Sequence, residues 1–152
     1  NTFDLVATYS VLHHIPDYLA VVQEMLRVLK PGGVLFIDHE VNANYWQPSV
    51  EYKNFLAQNP APFPWRKLLS PRNYLNWLRR KINPRFQAEG DIHVFTDDHI
   101  DWDKIRAVLE NSGAQIISEQ DYLLYQAHYN RASYERNKKN LSDMHMLIAR
   151  KT

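Results

Sequence analysis

The chain has 152 residues, 45% apolar and 23% charged, with a net charge of +1, which is enough apolar material for one folded core. No apolar run approaches the roughly 18–20 residues that span a bilayer, and no basic segment leads into an apolar stretch at the start, so neither a transmembrane helix nor a signal peptide is expected. The absence of cysteine excludes disulfides, cysteine–zinc centres and thiol nucleophiles, and suits a reducing, cytoplasmic setting.

Phe3-Asp4-Leu5-Val6-Ala7-Thr8 is short, mostly apolar and β-prone, as expected of a strand buried on both faces. The chain opens on it without a Met or a polar lead-in, the pattern expected of a piece of a larger fold. Tyr9 to Ile15 lead to Pro16-Asp17, where Asp17 can cap a helix. Tyr18, Val22, Met25, Leu26 and Leu29 recur at helical spacing and form its apolar face. Lys30-Pro31-Gly32-Gly33 should end that helix, because proline cannot continue it and glycine accepts a left-handed turn. Val34-Leu35-Phe36-Ile37-Asp38 then reads as a second buried strand, completing a right-handed parallel crossover.

From Val41 to Thr96 the rhythm breaks, with six of the eight prolines and three of the four tryptophans. Ser70-Pro71 reads as a helix start, with Tyr74, Leu75, Leu78 and Ile82 as its apolar face and an end near Asn83-Pro84. Residues 41–96 are therefore expected to form an inserted helical cap, weakly ordered around Asn59 to Pro64. Asp101 can cap a further helix carrying Trp102, Ile105, Val108 and Leu109, closed by Asn111-Ser112-Gly113. Ala114–Glu119 and Met144–Ala149 are strands, separated by a tyrosine-rich polar stretch that ends in the Arg136–Lys139 cluster. The expectation is one incomplete domain, residues 1–152, with residues 1–40 and 97–152 as its core.

Three strings carry a resemblance: Phe3-Asp4-Leu5-Val6, Leu12-His13-His14-Ile15-Pro16-Asp17, and Leu26-Arg27-Val28-Leu29-Lys30-Pro31-Gly32-Gly33-Val34-Leu35. They resemble the fourth strand, following helix and fifth strand of class I S-adenosylmethionine-dependent methyltransferases, closest in flavour to the quinone-biosynthesis C-methyltransferases. The resemblance implies an α/β, Rossmann-like sheet, here partial, closed by an antiparallel strand. It also implies S-adenosylmethionine as cofactor and a small-molecule acceptor. The departure is equally informative. The family holds its donor on a glycine-rich turn after the first strand, yet the only glycines are Gly32, Gly33, Gly90 and Gly113. Gly32-Gly33 lies after a helix and before a strand, the reverse of a ligand-cradling turn. The first three strands are thus expected to be missing, and the chain alone to be inactive. In order of appearance the strands should pair one, two, four, three, leaving the Phe3–Thr8 edge uncovered and prone to self-association.

Ligands of open α/β sheets sit beyond the carboxyl ends of the strands. By resemblance, Ala7, Thr8 and Tyr9 would line the donor. His13 and His14 face the same end, and histidine can act as a base near neutral pH. His39 and Glu40 end the second strand, but strand alternation sends neighbours to opposite faces, so only one should point at the ligand. These four are the candidate catalytic residues. A metal is not expected, since His39-Glu40 lacks a spaced third ligand and the other histidines are scattered. Methyl transfer from a sulfonium needs mainly alignment and desolvation, so the lack of a base motif does not argue against it.

Between Pro60 and Ala88 lie Arg66, Lys67, Arg72, Arg79, Arg80, Lys81 and Arg85, with no acidic residue and with interleaved aromatics. The segment suits a solvated face balanced by Asp91, Asp97, Asp98, Asp101 and Asp103, a cover for an anionic or amphiphilic acceptor, or an anionic membrane surface. Nucleic acid is the least suited partner. A non-catalytic interaction module built on the same half fold, docking through its open edge, is the alternative function. A nicotinamide-dependent oxidoreductase half explains the Leu-Lys-Pro-Gly-Gly turn less well.

Overall fold

Asp17 caps a helix as expected: its carboxylate accepts the N–H of Ala20, and α1 runs Tyr18–Val28 with Tyr18, Val22, Met25 and Leu26 buried. The computed structural model describes residues 2–65 and 70–152. The first strand, β1 (Phe3–Tyr9), lies parallel to β2 (Leu29–Val41), with Leu5 opposite Val34 and Tyr9 opposite Asp38. The helix ends at Val28, before the Pro-Gly-Gly string. Leu29 already belongs to the strand, and the string makes an irregular start to β2, where the register shifts between Phe3 and Leu5. Gly33 is required there: a Cβ would sit 2.9 Å from the Lys30 carbonyl oxygen and 3.2 Å from that of Phe3.

The closing strands are β5 (Ala114–Tyr122) and β6 (Met144–Lys151), with β6 antiparallel to both neighbours. The sheet order is β1-β2-β6-β5, the order expected from the sequence. Against one face pack α1 and the helix α5 (Trp102–Asn111), whose cap Asp101 accepts from Asp103 and Lys104 N–H groups. Their apolar sides, with Leu29, Leu35, Ile37 and Leu147, make the main core. Burial of this kind is the chief favourable term in folding.

The segment between β2 and the β3 (Val94–Phe95)/β4 (Asp98–His99) hairpin is helical: α2 (Ala43–Trp46), α3 (Val50–Gln58) and α4 (Pro71–Ile82). Tyr52 and Phe55 of α3 join Leu123, Tyr129 and Leu141 in a second core. The tyrosine-rich stretch is therefore a packing partner of the insert, and it contains a helix the sequence pattern did not show, α6 (Arg131–Asn137), capped by Asn130. Helix α4 exists where expected, but it buries none of its residues; Tyr74, Leu75, Trp77, Leu78 and Ile82 are all exposed. Arg66 and Lys67 of the basic run lie outside the described residues. Among the described residues, no helix is long and apolar enough to cross a membrane.

Candidate functional site

Two backbone kinks build the site. Ser10, just past β1, and His39, near the end of β2, both have positive φ, at 53° and 63°. Such angles are unfavourable for side chains other than glycine and mark positions held by their surroundings. Ser10 N donates to the Asp38 carbonyl at 3.0 Å, tying the kinks together. The β2/β6 register also shifts between Ile37 and Glu40. As a result His39 stacks on Tyr9, with ring centroids 4.5 Å apart, and hydrogen-bonds the Tyr9 hydroxyl at 2.9 Å.

Glu40 takes a different place. It is fully buried, and Oε1 accepts the N–H groups of Val11 and Leu12 at 2.9 and 2.8 Å. Its Oε2 lies 2.7 Å from His13 Nδ1. Glu40 thereby holds the turn Leu12–His14, a single 3-10 turn between β1 and α1. Beside it, the Tyr122 hydroxyl donates to Asp38 at 2.8 Å. Burial and that bonded carboxylate hold the Tyr122 phenol well above its ordinary value.

A cleft of about 300 Å³ opens at this end of the sheet. Ser10, His13, His39, Tyr45, Trp46 and Asp91 line it. Trp46 Nε1 is buried there without a hydrogen-bond partner among the described residues. Of the sequence candidates, His13 and His39 line the cleft, Tyr9 braces His39, and Glu40 sits behind His13. His14 lies next to His13, 3.0 Å from Asp91 Oδ1 through its Nδ1. Ala7 and Thr8 instead run along exposed β1, opposite Phe36 and Ile37.

Asp91 was read from sequence only as charge balance for the basic run. Its place follows from the next two N–H groups: Ile92 N and His93 N both donate to the His13 carbonyl at 3.0 Å. His93 is then locked between Asp98, at 2.7 Å, and the Pro16 carbonyl, at 3.2 Å. The Asp91-Ile92-His93 string was the available sequence signal, but no local pattern tells which turn it meets. Tyr45 and Trp46 were equally hidden within the insert.

Residues 1–37 match the methyltransferase domain family. The chain is 54% identical over 35 residues to a demethylmenaquinone methyltransferase of Bacillus pumilus, covering 23% of this chain and 15% of that one. It is 36% identical over 57 residues to a 2-methyl-6-phytyl-1,4-hydroquinone methyltransferase of Synechocystis, covering 33% of this chain and 18% of that one. The matched segments thus span less than a fifth of the length of these curated relatives. Among solved structures, an S-adenosylmethionine-dependent methyltransferase from Mesorhizobium loti superposes with a TM-score of 0.56 at 18% identity, over 99% of this chain and 62% of that one. Residues 1–37 are thus similar to the methyltransferase domain family, and the chain as a whole shares the fold of an S-adenosylmethionine-dependent methyltransferase.

Proposed function

We propose that this chain supplies the acceptor side of a methyl transfer from S-adenosylmethionine to an amphiphilic small molecule with a ring hydroxyl or an activated ring carbon. The observation that carries this is the cleft beyond the carboxyl ends of β1 and β2, where strained His39 and Ser10 meet the aromatic wall of Tyr45 and Trp46. The relatives named above support the cofactor and the acceptor class, since two of them are named for quinone-type substrates.

The step needs little from the protein beyond alignment. An electron pair of the acceptor, a lone pair on oxygen or the π pair of an activated ring carbon, forms the bond to the methyl carbon. The sulfur–carbon bond breaks with its electron pair left on sulfur, and the acceptor proton passes to a base. His39 is that base in our reading, with Tyr9 holding its ring in place. The unpartnered Trp46 N–H suits an acceptor oxygen, since a buried donor is costly to leave unpaired.

None of the four glycines sits in a Gly-x-Gly turn, so another polypeptide segment carries the donor cradle. Calorimetric titration of this chain with S-adenosylmethionine is expected to show no binding; micromolar affinity would refute the division. Joined to a segment carrying the donor turn, the protein should pass a labelled methyl group to a prenylated hydroquinone. His39→Ala should lower that kcat about 100-fold. An undiminished rate removes His39 from the mechanism.

A further inference from the structure

The turn behind the cleft combines two rings and a carboxylate in a way the methyl-transfer reading does not use. Glu40 accepts two backbone N–H groups through Oε1, and its Oε2 lies 2.7 Å from His13 Nδ1. With Nδ1 engaged there, Nε2 is the ring nitrogen that His13 presents to a ligand. What Nε2 faces is a second carboxylate oxygen, Asp91 Oδ1, at 3.9 Å. The same oxygen lies 3.0 Å from His14 Nδ1, and the two imidazole centroids are 4.1 Å apart.

One divalent ion satisfies both imidazoles and the carboxylate together. The three ligand atoms lie within 4.8 Å of one another. A tetrahedral zinc site, with bonds of about 2.0–2.2 Å, sets its ligands roughly 3.3 Å apart. The 3.0 and 3.9 Å separations bracket that value. Glu40 supplies what ligating histidines regularly have, a carboxylate on the other ring nitrogen that fixes tautomer and orientation. The side chains of His13, His14 and Asp91 keep 17%, 38% and 27% exposure, so an ion can enter from solvent.

We infer that His13, His14 and Asp91 bind a divalent transition-metal ion of the zinc type, with Glu40 as the positioning residue behind His13. The two-nitrogen, one-oxygen ligand set suits zinc rather than magnesium or calcium. Three protein ligands leave a position open, and His13 and Asp91 both line the cleft. An oxygen of the cleft's occupant would fill that position; this last step rests on the methyl-transfer reading, while metal binding does not.

The test is a calorimetric titration of the chelator-treated chain with zinc chloride. One equivalent is expected to bind. His14→Ala and Asp91→Asn should abolish stoichiometric binding, and Glu40→Gln should weaken it by about 10- to 100-fold. His128→Ala, at an exposed histidine elsewhere, should change nothing. Circular dichroism establishes that each variant is folded; His14→Ala, at a partly exposed position, keeps the test decisive if Glu40→Gln does not fold. Failure of the folded chain to take up one equivalent, or binding that survives both His14→Ala and Asp91→Asn, overturns the site. Neither donor nor acceptor enters this titration, so its failure leaves the methyl-transfer reading standing.

Discussion

Glu119, a partly buried carboxyl, shows how opposing effects set a side chain's charge. Burial pushes its carboxyl up, but hydrogen bonds and charge from Arg106 and His145 outweigh that and hold it below the ordinary glutamate value. Arg106 contacts both carboxylate oxygens at 2.7–3.2 Å. A carboxyl with a lowered folded pKa contributes stability that is complete above its ordinary value and is lost as pH falls through the lower folded one. Thermal melts should therefore drop on the acid side, and Arg106→Ala should flatten that drop while costing about 1 kcal/mol at neutral pH, a modest figure because the pair is partly exposed. An acid limb unchanged by the substitution would refute the assignment. Glu40 is a contrasting case. Its three contacts all fall within one turn, which it holds in place.

Helix α4 buries none of its residues. Leu75, Trp77, Leu78 and Ile82 are 50–80% exposed, and Arg72, Arg79, Arg80 and Lys81 form no ion pair among the described residues. Among the described residues of the basic segment, Arg85, beyond the helix, is the one that pairs with the acidic run, meeting Asp97 and Asp98. An apolar stripe flanked by cations matches an amphiphilic acceptor presented at an anionic lipid surface. Vesicle co-sedimentation should rise with anionic lipid content and fall with salt. Leu75→Glu combined with Leu78→Glu should reduce it at least tenfold, since both changes put charge into the inserted face. Binding indifferent to lipid charge and to these changes would leave α4 a solvated cover.

At the scale of the whole molecule, β1 is the open side. Phe3, Leu5 and Tyr9 are more than half exposed, and next to them Val6, Val21, Met25 and Val28 line a shallow apolar groove. An unpaired apolar strand edge is a template for another strand. Light scattering is expected to show concentration-dependent association, which Leu5→Lys should suppress by placing a charge on that exposed edge. A monodisperse monomer at all concentrations would contradict this.

Sequence by itself determined the parts governed by short-range physics. Asp17 and Asp101 were legible as caps because capping is a matter of a few neighbouring atoms, and β1, β2, β5 and β6 were legible as short apolar, β-prone runs, although β1 lies largely exposed at the sheet edge rather than buried on both faces. The Leu-Lys-Pro-Gly-Gly string identified the fold, although it could not show that the strand begins at Leu29, which depends on the close approach of the Phe3 backbone to Gly33. Tertiary structure alone decided the site. Nothing local to Asp91 indicates that backbone bonds will dock it beside His13 and His14, and nothing local to His39 indicates a left-handed kink. Those placements arise where separate elements compete for the same hydrogen bonds and space, and a linear pattern carries no record of which partner prevails.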